Sequence, residues 1–201
     1  PLPIACRLAL VDEAGMDVVL NPGQVTVIGG RLVGDQFLLE EAKGQVSITG
    51  LPSSTIRPSL FRDYSAPVLH TVSGLDESDR LFLAGKDSNA FSSWAHLQSL
   101  YSDALQRRYH RLGVGEPVGD DTALFEAMMT KALSVPIQEG SGQATRAAAI
   151  TLPSAQDLAR TIGESIDPDR VVAARKGFSR DFCAVHGPAL LTALQDAGLD
   201  D

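Results

Sequence analysis

The chain has 201 residues, of which 44% are hydrophobic and 21% are charged. That balance is typical of a globular protein and excludes an intrinsically disordered one. The formal net charge of −8 argues against a nucleic-acid partner, which would require a basic patch.

No apolar run is long enough to span a bilayer, so we expect no membrane partner. The two cysteines, Cys6 and Cys183, lie far apart in the sequence. This spacing argues against a disulfide framework and favours a reducing compartment. We therefore expect the chain in the cytoplasm.

Short strands and tight turns are predicted for residues 1–73. In residues 4–11, the side chains of Ile4, Cys6 and Leu8 point to one face with period two, as in a half-buried strand. Further short strands are predicted at residues 16–20, 24–28, 36–40, 45–49 and 68–72. A spacing of roughly ten residues favours an antiparallel, immunoglobulin-like β-sandwich, and a count of about six strands indicates that its first strands precede residue 1.

Helical periodicity replaces this pattern after Gly74. The candidate N-caps of the first three helices are Asp76 or Ser78, Ser88 or Asn89, and Asp120 or Asp121. These helices are expected to end near residues 86, 112 and 133, and three more are predicted at residues 143–150, 154–162 and 168–197, the last with a break at residues 187–188. Short connections favour paired, antiparallel helices. The predicted fold class is α+β, with the sandwich at residues 1–73 and an all-α stack at residues 74–201.

No metal site is predicted in this sequence. A zinc peptidase needs two histidines one helical turn apart and a further ligand. None of His70, His96, His110 and His186 has a histidine partner at that spacing. The nearest pair of candidate ligands, Cys183 and His186, has no second pair to complete a site. We expect His96 to be an ordinary packed or surface residue.

The same pair is also the best candidate for nucleophilic catalysis. A thiol and an imidazole three residues apart on one helix can act as nucleophile and base. The apolar neighbours Phe182, Ala184 and Val185 favour a packed, unreactive Cys183 instead. No serine lies in a G-x-S-x-G motif. We therefore predict no catalytic residue in this chain.

Two other polar patterns have structural explanations. The glycines in residues 113–119 miss the dinucleotide-binding spacing by one residue and follow a helix, so they predict a helix end. Adjacent carboxylates at Asp120 and Asp121 are expected to cap a helix, whereas Glu40 and Glu41 are expected to point to opposite faces of a strand.

A group of arginines closes the second predicted helix, namely Arg107, Arg108 and Arg111. Cationic side chains near a helix C-terminus interact favourably with the helix dipole. Such a group can hold an anion, but we interpret it as a solvated helix end. No cofactor-binding residue is predicted.

Residues 57–68 (RPSLFRDYSAPV) resemble a motif of the bacterial aminopeptidase N family, in which a PSL element leads into an aromatic residue followed by Ser-Ala-Pro-Val. Tyr64 stands where the family usually has phenylalanine. Residues 81–94 (LFLAGKDSNAFSSW) are similar to the family's FL…H-D-S-D-x-F-x-R-W helix junction. Here Lys86 replaces the frequent histidine and Ser93 the frequent arginine.

Two further segments follow the order of the same family. Residues 149–154 (AITLPS) with residues 166–168 (IDP) are similar to its LTLPS…IDP pair of helix starts. Residues 2–15 are similar to its IPLAI-x-L-x-D-x-x-G hairpin. The four matches together extend over nearly the whole chain, and it is their combination that is specific.

The resemblance implies a place within a zinc metallopeptidase that removes N-terminal residues from peptides. Residues 1–73 would be most of its immunoglobulin-like domain, and residues 74–201 the start of its C-terminal helical domain. The family's H-E-x-x-H zinc motif and G-A-M-E-N loop lie upstream and are absent from this sequence. No catalytic, cofactor-binding or metal-binding residue is therefore carried over. The implied partners are the upstream catalytic domain, the remaining helices and a peptide substrate, with zinc in the parent enzyme alone.

The predicted function is a non-catalytic scaffold section that helps to enclose the active-site chamber of the parent enzyme. In that role we expect Phe61 and Trp94 at the interface between strands and helices. The alternative is a free-standing immunoglobulin-like module that binds a protein partner. A third hypothesis is a thiol enzyme that uses Cys183 and His186.

Overall fold

The structure, a computed structural model, describes residues 2–52, 55–68, 70, 72–134 and 147–196. The chain divides into two units, Pro1–Leu97 and Gln98–Asp201. The first unit contains the strands and the first helix. The predicted domain boundary after residue 73 stays a prediction.

The strands of the first unit all pair antiparallel. They are β1 (Ile4–Val11), β2 (Val25–Ile28), β3 (Gly30–Val33), β4 (Gln36–Leu39), β5 (Gln45–Ile48) and β6 (Arg57–Leu60). Four of them form a sheet in the order β3-β4-β1-β6. The long strand β1 pairs with β4 through its first half and with β6 through its second half, so that Leu10 lies opposite Pro58. The buried apolar side chains of this sheet are Leu10, Val11 and Phe37.

The other two strands, β2 and β5, form a separate two-stranded sheet. Val25 lies opposite Ile48, and Val27 lies opposite Val46, which places these four side chains on one face. All four are only half-buried. Gly29 connects this sheet to β3 with a φ of +73°, and a Cβ there would lie 2.1 Å from the Lys43 carbonyl oxygen, so only glycine fits.

Two predicted strands are wrong. Residues 16–20 form only an isolated bridge between Asp17 and Val11. The Asp12 carboxylate accepts the backbone N–H groups two and four residues on, so the chain closes a tight turn after β1. Within residues 68–72, positions 68, 70 and 72 are described and lie outside any strand.

Two observed strands were not predicted, because their sequences carry turn signals. β3 begins at Gly30, directly after the glycine at which the predicted strand was expected to end. β6 contains Pro58, and proline in a strand is normally confined to a sheet edge. β6 is the last strand in the order of its sheet, so the proline is tolerated there.

The predicted starts of the first two helices are confirmed. In α1 (Glu77–Lys86), the Asp76 carboxylate accepts from the Asp79 backbone N–H and completes a capping box. In α2 (Ala90–Val114), the Asn89 side chain accepts from the Ser92 backbone N–H at 3.0 Å. Of the two aromatic residues expected at the interface of strands and helices, Phe61 is half-buried against His70 and Trp94 is 37% exposed.

The second unit is helical. It contains the later part of α2, then α3 (Thr122–Ser134), α4 (Ala155–Ile162) and α5 (Pro168–Asp196). Residues 147–150 are helical, whereas the rest of the predicted helix 143–150 lies outside the described residues. The Ser154 hydroxyl and the Asp157 carboxylate form a capping box at the start of α4. The break expected at residues 187–188 does not occur: α5 continues through Pro188 to Asp196.

Aromatic residues form the centre of the second unit. Phe178 on α5 is fully buried, and its ring centroid lies 5.1 Å from that of Phe125 on α3. Tyr101 on α2 is also fully buried and donates its hydroxyl proton to the Ala149 carbonyl oxygen. Burial raises the pKa of Tyr101, so this hydroxyl stays a donor.

These elements confirm the α+β class: antiparallel sheets are followed by helices. The immunoglobulin-like arrangement stays a prediction, since the described strands form one sheet of four and one of two. In the part of the chain that the structure describes, no helix is both long and apolar enough to cross a membrane.

Candidate functional site

The most highly organised polar group in the first unit surrounds Arg62, which follows β6 and is 8% exposed at its side chain. Its two terminal nitrogens donate to both oxygens of Asp17 at 2.7 and 2.8 Å, a bidentate ion pair. Nη2 also donates to Asp87 at 2.8 Å, and Nε donates to the Ser59 hydroxyl at 3.0 Å. We call Arg62, Asp17, Ser59 and Asp87 the Arg62 cluster.

Asp87 is the buried anion of this cluster, with a fully covered side chain. It terminates α1, accepts the Ser59 hydroxyl proton at 2.5 Å, and accepts the Asn89 backbone N–H at 2.8 Å at the start of α2. The Asp87 carboxylate therefore connects β6, and Arg62 after it, to the junction of α1 and α2. The two longest motifs of the sequence, residues 57–68 and 81–94, meet at this point.

A second, half-exposed set of charges adjoins the cluster. Arg7 on β1 donates to the carboxylates of Asp35 and Asp63. The other oxygen of Asp63 accepts the Asn89 side-chain amide at 2.6 Å. The backbone here is strained, since Phe61, Asp63 and Tyr64 all have φ near +55°. Such conformations cost about 1 to 3 kcal/mol each and persist only where surrounding contacts hold them.

The electrostatics of the Arg62 cluster favour ionised Asp17. The hydrogen bonds from Arg62 lower the pKa of this carboxyl, against the opposing effect of partial burial. A carboxyl whose pKa is lower in the folded state than in the unfolded chain stabilises the fold above the unfolded-state pKa. That contribution is lost as the pH falls through the folded-state pKa.

We therefore expect the stability difference between the wild-type chain and an Asp17→Asn variant to be largest near pH 7 and to shrink towards about pH 3. Urea unfolding followed by the fluorescence of Trp94 measures it. The ion pair is half-exposed, so raising the salt concentration should reduce the difference at neutral pH. A difference that stays constant from about pH 7 to about pH 3 would contradict the assigned role of Asp17.

A cleft of about 790 Å³ opens beside these charges in the first unit. Its apolar wall includes Leu8 on β1, Val25 on β2 and Val46 on β5, so it lies between the two sheets. Its charged end is formed by Arg7, Asp17, Asp35, Arg62 and Asp63. The volume falls within the range of about 300 to 1,000 Å³ that ligand pockets occupy.

The second unit has its own buried ion group, centred on Arg108. The guanidinium is 4% exposed and donates to Asp121 and Asp181 at 2.8 and 2.7 Å. It also lies 5.2 Å from the ring centroid of Phe178. The interpretation of the arginine group as a solvated helix end is therefore wrong for Arg108. Its hydrogen bond lowers the pKa of Asp181.

The structure places His96 in the first unit and His186 in the second. His96 is half-buried, and burial lowers its pKa. His186 is buried, packs against the Phe182 ring, and has its Nε2 atom 3.9 Å from a Glu126 oxygen. Within the described residues, no three His, Cys, Asp or Glu side chains form a group that could hold a metal ion.

Cys183 corrects one sequence-based prediction. It was expected to be packed, but it is an exposed free thiol on α5. The apolar neighbours of Cys183 in the sequence do not indicate its burial, because successive residues on a helix point in different directions. Phe182 is buried, whereas Val185 is 54% exposed. Cys6 is the half-buried thiol, and burial raises its pKa.

We expect Cys183 to react with a maleimide or a disulfide reagent at least about tenfold faster than Cys6, because it is accessible and because the thiolate form of Cys6 is disfavoured. Peptide-level mass spectrometry at successive times gives both rates in one sample. In a Cys6→Ser variant the slow labelling reaction should disappear, while the labelling rate of Cys183 should stay the same. Faster modification of Cys6 would contradict the structure of the first unit.

The sequence interpretation missed both buried arginines, for different reasons. Arg108 falls within the apolar stripe of α2, three and four residues after Leu105 and Ala104, and a charge in that position is a signal of a buried ion pair. Arg62 has no comparable signal, since its charged partners, Asp17 and Asp87, lie 45 and 25 residues away. Its place in residues 57–68 was the only available indication.

A family model described as "Domain of unknown function (DUF3458_C) ARM repeats" matches residues 77–200. This range begins at α1 and contains every helix given above. ARM repeats are stacked helical units, which agrees with the helical second unit.

Two aminopeptidases are similar to the chain. Aminopeptidase N of Caulobacter vibrioides is 31% identical over 167 residues, which is 82% of this chain and 18% of that protein. The crystal structure of Legionella pneumophila aminopeptidase A in complex with aspartic acid superposes with a TM-score of 0.71 and 17% identity, covering 99% of this chain and 21% of that one. The resemblance to aminopeptidase N is thereby confirmed, and the chain spans about a fifth of the length of these relatives.

Proposed function

The chain belongs to the family described as a domain of unknown function (DUF3458_C) with ARM repeats, and on that premise we propose that it is a non-catalytic section of a longer aminopeptidase N-like enzyme. The parent would remove N-terminal residues from peptides. This section would help to enclose the chamber in which that reaction takes place.

The similarity to aminopeptidase N carries the proposal, because 82% of the chain aligns with only 18% of that protein. The organisation of the site supports it. The charges of the Arg62 cluster and of the Arg108 group are paired and largely buried, which is an arrangement that holds elements together. A catalytic acid or base needs access to a substrate.

Zinc would be the cofactor of the parent enzyme. The described residues do not fit a zinc site, since no three of their potential ligands come together. The ligands would therefore lie on polypeptide outside this chain, together with the catalytic residues. We also propose a cytoplasmic location, which the free thiols of Cys6 and Cys183 support.

The size and activity of the native gene product test the proposal. An antibody against this chain should detect a band several times larger than 21.3 kDa. The intact product should hydrolyse an aminoacyl p-nitroanilide in the presence of zinc, while the 201-residue chain should show no rate above the buffer control.

A native band at 21.3 kDa would contradict the proposal and favour the free-standing binding module instead. Turnover by the 201-residue chain with stoichiometric zinc would refute its non-catalytic role. A large product that contains this sequence and lacks aminopeptidase activity would refute the proposed reaction alone.

A further inference from the structure

A second space opens within the helical unit, between the end of α2 and the middle of α5. Its volume is about 440 Å³, within the range of roughly 300 to 1,000 Å³ that small-molecule pockets occupy. Leu112 on α2 and Val118 in the connection after it line this space, and both apolar side chains are exposed to water. We call this space the α2–α5 groove. It offers hydrophobic surface to a ligand, because covering such side chains is favourable.

The face of α5 towards the groove combines small residues with cations. Ala173, Lys176, Gly177 and Arg180 line the groove and follow the spacing i, i+3, i+4 and i+7, so they share one side of the helix. The short Ala173 and Gly177 leave the space open. Lys176 and Arg180 lie one turn apart, and like charges at that spacing repel each other. An anion bound between them would relieve this repulsion.

Every ionisable residue that lines the groove, within the described part of the chain, is basic. These residues are Arg108, Lys176 and Arg180. The chain as a whole has 25 acidic and 17 basic residues, so this local bias opposes the overall charge. Glu116 and Asp120, in the connection between α2 and α3, are not among the lining residues. The groove therefore complements a negative charge.

Arg108 forms the buried inner end of the groove. Its Nε and Nη1 atoms donate to Asp121 and Asp181, whereas its Nη2 atom donates to no other described residue. A Cβ at Gly177 would lie 3.6 Å from Nη1, so the guanidinium adjoins the floor of the groove. One donor of this fixed guanidinium therefore remains unused.

The two carboxylates bound by Arg108 do not make this region negative, because each is also close to a second arginine. Arg107 lies 3.5 Å from Asp121. Arg180 lies 3.3 Å from Asp181. Three arginines thus surround two carboxylates, and the net charge beside the groove is positive.

An apolar surface with a cationic rim fits an amphiphilic anion. Its head group can accept hydrogen bonds from the Lys176 ammonium and the Arg180 guanidinium, and such charge-assisted bonds are strong. A further helix packed over the groove would instead bury both cations, which is costly unless each finds a partner. The cleft of the first unit is less suitable, because three carboxylates line its charged end.

We propose that the α2–α5 groove binds a small amphiphilic carboxylate of the medium-chain fatty acid class. The head group lies at Lys176 and Arg180, and the aliphatic body lies against Leu112 and Val118. The inference goes beyond the proposed function and does not depend on it, since every residue of the groove belongs to this chain.

Calorimetric titration with sodium octanoate tests the inference. It is carried out on the 201-residue chain and on the intact gene product, and octanoate should bind one-to-one to both. From butanoate to octanoate, the affinity should rise by about two- to fourfold per methylene group. Octylammonium has the same aliphatic body with the opposite charge, and it should bind at least about tenfold more weakly than octanoate.

Lysine acetylation locates the bound ligand. Saturating octanoate should slow the reaction of Lys176 with acetic anhydride at least about fivefold, because the occupied groove shields the amine. Lys86, on α1 in the first unit, is the internal control and should react at an unchanged rate. Peptide-level mass spectrometry gives both rates in one sample.

Substitutions test the charge and the space separately. Lys176→Gln removes one rim cation and should weaken octanoate binding about three- to tenfold. Ala173→Phe should abolish binding, because its ring fills the groove. Both positions are exposed, so both variants should fold, which urea unfolding checks. The matched control is Arg160→Gln, which removes one positive charge from an exposed position on α4 and should leave the affinity unchanged.

Four results overturn the inference. Octanoate could bind neither form, or it could bind the 201-residue chain alone, which would show that other polypeptide covers the groove. Octylammonium could bind as tightly as octanoate, or Lys176 could remain unprotected, which would show that the cationic rim holds no carboxylate. Aminopeptidase activity enters none of these measurements, so failure of this inference and failure of the proposed function are distinguishable.

Discussion

An Arg62→Met variant is expected to lose about 3 to 5 kcal/mol of unfolding free energy in the first unit. Arg62 is 8% exposed and Asp87 is fully covered at its side chain. Methionine removes the cation but leaves the carboxylate of Asp87 in a site that water does not reach. The remaining Ser59 and backbone donors do not compensate for the lost charge.

Urea unfolding followed by Trp94 fluorescence reports on the unit that contains this tryptophan. The matched control is Arg31→Met, which breaks the exposed pair with Glu40 and should cost at most about 1 kcal/mol. The double variant Arg62→Met, Asp87→Leu should be more stable than Arg62→Met alone, because it removes the unpaired charge. A loss below about 1 kcal/mol for Arg62→Met would contradict the assigned role of the buried ion pair between Arg62 and Asp87.

A Phe178→Ala variant is expected to lose about 3 to 5 kcal/mol in the second unit. The Phe178 ring is fully buried and makes edge-to-face contacts with Tyr101 and Phe125. Alanine leaves a cavity between three helices and also removes the ring that Arg108 faces.

Far-ultraviolet circular dichroism during urea unfolding follows this helical unit. Val185→Ala on the same helix is the matched control, since Val185 is 54% exposed and its truncation should cost less than about 1 kcal/mol. If Phe178→Ala and Val185→Ala had equal effects, the assigned core of the second unit would be wrong. A Phe178→Leu variant should recover part of the loss, because it fills much of the cavity.

The helices were predicted more accurately than the strands because their signals are local. A capping box occupies four consecutive residues, and those at Asp76 and Ser154 could be recognised directly in the sequence. Strand pairing depends on residues far away in the chain. β6 was not predicted, because Pro58 disfavours a strand locally and its pairing partner, Leu10, lies 48 positions earlier (58 − 10).

The candidate site was predicted only in part, for the same reason. Residues 57–68 and 81–94 stood out as motifs, but nothing in either stretch shows that Arg62 and Asp87 form an ion pair. Asp17 lies in a stretch with the alternating pattern of a strand, and its carboxylate was not considered. Side-chain pairs of this kind become visible only when the fold brings distant segments together.

The long separation between the members of the Arg62 cluster has a consequence for synthesis on the ribosome. Arg62 lies 45 residues after Asp17 and 25 before Asp87. Asp87 is therefore translated 70 residues after Asp17 (45 + 25). At about 5 to 20 residues per second, Asp17 is synthesised roughly 4 to 14 seconds before the buried carboxylate of Asp87. During that interval the Arg62 cluster is incomplete, because the buried carboxylate that joins β6 to the junction of α1 and α2 has not yet been made.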